Sequence, residues 1–292
     1  MANIKYSRRN FLKLAGMGTA ALTLPGFDFF SNLKYEAKIG LQLYTIRKAI
    51  ENDFDNAVRK VADIGYLGIE TYALPENVTL EHAAKVFNQV GLKIFSMHSE
   101  LPVGADRDKA LRMADAYKCN TIVYHGWPEG DKYKNEDNLK HTAEVYDEIA
   151  DFLKSKGLKF GLHNHWWEFE KNDDGIYPAY YLLKHLNKDI FFEIDTYWAK
   201  VAGQDPVKIL KDFGKRAPFL HIKDGPAVKG EKGYNQVPVG DGSMNFPAIV
   251  KAGGDNIKWM IVEFDEYDKN IFDGVKKSYF YLTKNHLAKG KV

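Results

Sequence analysis

Leu158-Lys159-Phe160-Gly161-Leu162-His163-Asn164-His165-Trp166-Trp167-Glu168 is an apolar run of strand character that ends abruptly in two histidines two positions apart. Side chains alternate along a strand, so His163 and His165 share one face while Leu162 and Asn164 share the other. Just before it, Gly157 closes a helical pattern that runs from Asn135 to Lys156, as a glycine in the left-handed C-cap position does. The order helix, glycine, strand, polar tip recurs along the chain.

Strand-like runs begin near Ile39, Leu67, Leu92 and Asn120, then near Leu158, Ile190, Phe219 and Lys258. Between them lie helical patterns: Phe54 to Ile64, Leu80 to Val90, Asp108 to Tyr117, Asn135 to Lys156, Tyr177 to Leu186, Pro206 to Phe213, Phe246 to Lys251 and Ile271 to Leu287. Gly65, Gly91 and Gly214 follow helical runs as Gly157 does. Strand and helix alternating without an all-β or all-α block predict a parallel sheet. Eight units permit closure, and no Gly-rich phosphate turn follows the first strand, where Leu43-Tyr44-Thr45-Ile46-Arg47 stands instead. The expected fold class is therefore α/β, a (β/α)8 TIM barrel over residues 38–292. One connection is unusually long: Asp224 to Asn245, with five Gly and two Pro, reads as a lid or substrate loop.

Residues 1–37 read as a leader and linker. Ser7-Arg8-Arg9-Asn10-Phe11-Leu12-Lys13 precedes a short, Gly-rich apolar run and resembles a twin-arginine export signal, which implies a periplasmic protein. The run is too short for a stable transmembrane helix, so a membrane anchor could come only from an uncleaved leader. The remainder carries 36 basic and 37 acidic residues, a balance that offers no field for gathering nucleic acid. Cys119 is the single cysteine, so no disulfide framework exists, and it is expected to pack as a small apolar residue.

Barrel enzymes build their sites at the C-terminal ends of the strands. Here those ends carry Gln42 and Tyr44, Glu70 and Tyr72, His98, His125, His163 and His165, Glu193 and Asp195, His221 and Lys223, and Glu263 and Asp265. Five of the nine histidines fall there, which scattered surface residues would not do. The physical reading is one divalent metal ion held by His163, Asp195, His221 and Glu263, from strands five to eight. Imidazole with carboxylate suits Mn²⁺, Co²⁺, Zn²⁺ or Mg²⁺, and the lack of thiolates argues against a structural zinc. The same residues could instead form a buried polar network closing the barrel's mouth. Glu193, one pleat deeper than Asp195, reads as a ligand or as a paired core carboxylate. Lys223 could neutralise a developing enolate oxygen or form a strand-end ion pair with Asp224. Trp166, Trp167, Tyr197 and Trp198 beside the proposed ligands suggest aromatic walls for a sugar ring.

Gly40-Leu41-Gln42-Leu43-Tyr44-Thr45-Ile46-Arg47, His163-Asn164-His165 with Glu168-Phe169, Asp195-Thr196-Tyr197-Trp198 and His221-Ile222-Lys223-Asp224 resemble exported members of the sugar phosphate isomerase/epimerase family, the xylose isomerase-like barrels. The resemblance spans essentially residues 38–287. It implies a metal set of Glu, Asp, His and Glu, of which Asp195, His221 and Glu263 keep the last three. Two positions depart: His163 stands where the family's epimerases place a Glu, and Trp198 where they carry a His. The two-glutamate proton relay of ketose 3-epimerases is thus broken, and the His-rich fifth strand is similar to that of inosose dehydratases.

The expected activity is a metal-dependent isomerase or epimerase that abstracts a proton next to a carbonyl on a sugar or keto-sugar. The alternative is a lyase or hydratase acting on a keto-glycoside or keto-inositol. Catalytic roles are expected for Glu263, His163, Lys223 and His165, and substrate binding for Tyr44, Glu70, His98, His125, Glu168 and Trp198. The partner implied is a small carbohydrate, with no nucleic acid. Because sugar phosphates are cytoplasmic, a non-phosphorylated sugar or glycoside fits the export signal. A nuclease of the endonuclease IV type is disfavoured by His163, Trp198 and the absence of His from the long loop.

Overall fold

The computed structural model describes residues 35–127 and 130–291. All but the last three residues of the expected leader, including its arginine pair, lie outside them. Eight parallel strands close into a barrel in sequence order: β1 Lys38–Gln42, β2 Gly68–Thr71, β3 Lys93–Ser99, β4 Thr121–Tyr124, β5 Lys159–His163, β6 Phe191–Asp195, β7 Phe219–Ile222 and β8 Trp259–Val262. The eight expected helical patterns are all helices, with ends shifted by a few residues. Two short helices escaped the sequence reading, Arg47–Asn52 and Thr196–Val201. Both begin within a few residues of a strand end, where a single turn is too short to show a period.

The four helix-ending glycines take positive φ. Gly214 is not a left-handed cap, however: with ψ −128° it opens a further 3-10 turn.

The barrel interior is layered. Its lower end is plugged by Phe95, Phe219, Trp259 and Ile261, with Phe95 stacked on Trp259 at 3.9 Å between ring centroids. Gly40 leaves room for this plug, because a Cβ there would lie 2.5 Å from the Phe95 ring. The β2–β3 register skips Phe95, pairing Ile69 with Ile94 and Glu70 with Ser96. Such an extra residue re-aims the side chains beyond it. Above the plug the inward positions turn polar: Gln42, Glu70, Ser96, His98, Glu193 and His221 are all buried. The plug seals the bottom, so the polar layer opens only toward the C-terminal mouth.

The long segment Asp224–Asn245 is pinned rather than free to swing. Asp224 is buried, and its carboxylate accepts backbone N–H groups from Gly225 and Gly240 at 2.9 Å and from Gly242 and Met244 at 3.1 Å. A Cβ on Gly242 would fall 2.1 Å from Asp224 Oδ1, so only glycine lets that backbone approach. Tyr197 adds a second anchor, donating to Gly233 O at 2.6 Å and accepting from Ala227 N at 3.1 Å. Of the two expectations for this segment, lid or substrate loop, these anchors and the placement of Tyr234 at the barrel's mouth fit the second.

Two measurements check this packing. Asp224→Asn should lower unfolding stability by about 2–4 kcal/mol in urea denaturation, because charge-assisted acceptors are exchanged for one amide; an unchanged midpoint would contradict the anchor. Cys119 is buried and its thiol is pushed up to about 11 by burial. It should resist iodoacetamide at pH 8 in the native protein and react promptly in denaturant.

Candidate active site

The mouth of the barrel holds a cavity of about 730 Å³ lined by Tyr44, His98, His125, His163, His165, Trp198, Lys223, Tyr234, Glu263 and Asp265, among others. Strand alternation brings these together: Gly161 and His163, Phe219 and His221, and Trp259, Ile261 and Glu263 each follow one inward face.

Below the cavity floor is the inner carboxylate–imidazole layer. Glu193 Oε1 lies 2.6 Å from His98 Nε2, 2.9 Å from His221 Nε2 and 3.3 Å from His163 Nδ1. Glu70 Oε1 accepts from Gln42 Nε2 at 2.8 Å and lies 2.8 Å from His221 Nε2, while Ser96 donates to its other oxygen. Burial, reinforced by the charge of Glu193, pushes the Glu70 carboxyl up to about 7. Burial works against ionisation of Glu193 too, but His221 and His98 outweigh it and hold that carboxyl well below the usual range. Glu193 is thus paired through Oε1, while its buried Oε2 has no hydrogen-bond partner among the described residues. Glu70 bonds within the same layer and does not line the cavity, so the expectation that it binds substrate is corrected.

One layer higher, Lys223 is buried among three carboxylates. Its Nζ lies 3.0 Å from Asp195 Oδ2, 2.9 Å from Glu263 Oε2 and 3.0 Å from Asp265 Oδ2. Gln236 orients Asp265 by donating to Oδ2 at 2.8 Å and accepting its N–H at 2.7 Å. Lys223 thus pairs across the barrel, not with its neighbour Asp224. Burial opposes its charge, yet Asp195, Asp265 and Glu263 keep it protonated far above the ordinary range. Burial pushes Asp195 up to about 6 against the pull of Lys223.

Donor atoms of Asp195, His221 and Glu263 lie within 4.8 Å of one another, as do those of His98, His163, Glu193 and His221. The four residues expected to hold a metal straddle these two groups, which share His221. Each of the four presents a buried atom with no hydrogen-bond partner among the described residues: His163 Nδ1, Asp195 Oδ2, His221 Nδ1 and Glu263 Oε2. These atoms meet their neighbours through ion-pair contacts only. His221 Nε2 faces acceptors, Glu70 and Glu193, so it carries a proton and leaves Nδ1 directed at Glu263. A metal-binding histidine typically gives its second N–H to a carboxylate in this way. The residues present fit a divalent ion.

His163 and His165 are held neutral. Burial, then the nearby His221, lowers His163 to about 3, and burial with His163 and Lys223 keeps His165 well below the imidazole range. Asn164, on the opposite face, ties strands five and six: it accepts Asp195 N at 2.9 Å and donates to Asp195 O at 3.3 Å. Asp195 also caps the helix Thr196–Val201, accepting Trp198 N at 2.9 Å, which swings Trp198 onto the cavity wall.

Among the other expected site residues, Tyr44, His98, His125 and Trp198 line the cavity. Glu168 does not. Its Oε2 accepts His165 N at 2.8 Å, so it shapes the turn after β5, and burial pushes its carboxyl up to about 7. Of the expected aromatic wall only Trp198 reaches the cavity. Trp166 packs behind it at 4.9 Å, Trp167 stacks on His165 at 4.3 Å and Tyr197 anchors the long segment. The sequence reading missed Trp127, 51% exposed on the cavity rim. The signal was available in His125-Gly126-Trp127, an aromatic directly after a strand tip. It also missed Tyr234 and Gln236, which only the course of the long segment places here.

Residues 5–25 match a twin-arginine translocation pathway signal sequence. The chain is 28% identical to an inosose dehydratase of Clostridium beijerinckii over 155 residues, 47% of this chain and 51% of that protein. It thus spans about half the length of the curated relatives it matches. A solved sugar phosphate isomerase/epimerase from Parabacteroides distasonis superposes with a TM-score of 0.73 at 26% identity, covering 89% of this chain and 97% of the other. An IolI protein with a bound zinc atom shares the fold, with a TM-score of 0.67 at 15% identity over 85% of this chain and 98% of that one. Residues 58–278 match the family model of the xylose isomerase-like TIM barrel, and the chain belongs to that family.

Proposed function

We propose that this protein is a divalent-metal-dependent enzyme of carbohydrates that abstracts a proton next to a carbonyl on a sugar or keto-sugar. The observation that carries the reading is the gathering of buried His163, Asp195, His221 and Glu263 into two overlapping donor groups that share His221, with His163, Glu263 and Lys223 lining an open cavity. A divalent ion held there would supply Lewis acidity toward a carbonyl or adjacent hydroxyl oxygen of the substrate. Zn²⁺, Co²⁺ and Mn²⁺ suit two imidazoles with two carboxylates better than Mg²⁺, which prefers oxygen ligands.

The chain's own residues supply the rest. Lys223 carries its charge at the cavity wall without bulk water, where it favours negative charge growing on an enolate oxygen. His165, neutral and unpartnered at Nδ1, is the group assigned to move the proton. Glu263, kept ionised by Lys223 and His221 in spite of its burial, lies on the same wall and offers a second proton acceptor. Trp198, Tyr44 and Tyr234 present apolar faces to sugar C–H groups. The twin-arginine signal supports a periplasmic, non-phosphorylated substrate.

A lyase or hydratase acting on a keto-glycoside or keto-inositol is the second reading. It is favoured by His163 in place of the glutamate a two-carboxylate relay needs, and by the inosose dehydratase relatives. Both reactions begin with the same proton abstraction. They part on mass: an isomerase conserves it, whereas a lyase releases or adds water or an aglycone.

Elemental analysis of the purified protein should find about one divalent ion per chain, and Asp195→Asn should lose most of it; undiminished occupancy in that variant would refute the ligand set. With a panel of 3-keto sugars in deuterium oxide, proton NMR should record exchange at the carbon beside the carbonyl. His165→Ala should slow that exchange by about 10²- to 10⁴-fold while metal content stays unchanged. A variant that exchanges at the parent rate would remove His165 from the mechanism.

A further inference from the structure

The cavity crosses the mouth of the barrel. The proposed ligands come from strands five to eight, yet the same cavity is lined by Val78 from the connection after β2, by Leu80 at the start of the helix Leu80–Gln89, and by Asp106, Lys109, Arg112 and Met113 from the helix Ala105–Tyr117. Eight strands closing in sequence order set β2 and β3 opposite β6 and β7. This half of the lining therefore lies across the opening from the strands that carry Asp195 and His221.

Charged and apolar groups are interleaved here. Asp106, Lys109 and Met113 fall on one helical face, with Arg112 at its edge. None of the three charged side chains has an ion pair or a hydrogen bond among the described residues. Arg107, on the other flank of the same helix, is engaged instead: it donates to Glu148 Oε1 at 2.8 Å and packs on Phe152 at 4.7 Å from the ring centroid. Glu76, Glu100 and Asp106 against Lys109 and Arg112 leave this half of the lining close to neutral, so it selects neither an anionic nor a cationic substituent. A purely apolar group would strip water from these charges without replacing its hydrogen bonds. A pyranose ring meets both kinds of lining, because its hydroxyls bond to charged side chains while its C–H faces pack on aliphatic ones. The cavity volume, about 730 Å³, lies within the roughly 300–1,000 Å³ of pockets that enclose drug-sized ligands, which leaves room for such a ring beside the one at the strand tips.

We propose that the substrate is a disaccharide, with its reacting ring at the tips of strands five to eight and a neutral second ring seated against the helix Ala105–Tyr117. Asp106, Lys109 and Arg112 bond the hydroxyls of that second ring, and Val78, Leu80 and Met113 take its C–H face. This rests on the carbohydrate reading above and adds the class of the second substituent. The second ring gives binding energy remote from the reacting carbon, which is available to hold the first ring in register with His165 and Lys223.

The test compares binding of glucose, maltose, cellobiose and trehalose to the full chain by titration calorimetry, in parallel with the deuterium-exchange assay. At least one disaccharide should bind about tenfold tighter than glucose, the gain expected from one or two charge-assisted hydrogen bonds. The double variant Asp106→Ala, Arg112→Ala removes two side chains without partners in the fold, so its metal content and unfolding midpoint should match the parent. In that variant the preference for the disaccharide should fall to within about twofold. No preference for any disaccharide, whether all four sugars bind or none does, overturns the proposal, as does a preference that survives the double variant. A disaccharide preference lost in the variant, with no exchange on any keto-sugar, would refute the reaction proposed above and leave the second-ring site standing.

Discussion

Everything at the mouth of this barrel turns on the imidazole of His221. One nitrogen, Nε2, bridges Glu70 and Glu193 in the inner layer, and the other, Nδ1, lies against Glu263 in the layer above. Burial disfavours charge on this ring, yet Glu193 and Glu263 overcome it and hold its pKa well above the ordinary range. Three carboxylates are tolerated in a dry interior because this ring, His98 and Lys223 stand between them. Without His221 only His98 would stand between Glu70 and Glu193, and Glu263 would keep Lys223 alone as its cationic partner. The same residue makes the fold viable and aims the site.

The two layers have different chemistry because their neighbours differ. In the inner one Glu70 is held by imidazole, amide and hydroxyl and Glu193 Oε1 by imidazoles, which suits the layer to orient what lies above. The upper one gathers three carboxylates, Asp195, Glu263 and Asp265, around the single ammonium group of Lys223, with His221 Nδ1 against Glu263. One ammonium group leaves carboxylate charge in excess there, which a bound divalent cation would balance.

The eight strands and their order were legible in the sequence because a closed parallel barrel repeats one local pattern, and in four of the repeats a glycine marks the helix end. The polar tips were legible for the same reason: alternation alone puts His163 and His165, or His221 and Lys223, on one face. Depth was legible only in part: alternation sets Glu193 one pleat below Asp195, whereas Glu70 looks like a tip residue in a linear reading, and the β2–β3 register shift and the plug beneath reveal it as part of an inner layer. The role of Asp224 was equally hidden, since its four N–H partners are scattered over 20 residues of loop with no periodicity to mark them. Trp127 was overlooked because the reading weighted aromatics near the proposed ligands in sequence, whereas the cavity collects them in space.

X-ray absorption spectroscopy of the protein loaded with Co²⁺ or Zn²⁺ tests the central claim most directly, because the upper and inner groups differ in ligand type. The account predicts a first shell with two imidazoles, from His163 and His221, and oxygen donors from Asp195 and Glu263. A shell with three imidazoles would place the ion in the inner group of His98, His163, Glu193 and His221, and would contradict the assignment of the upper layer as the reactive one.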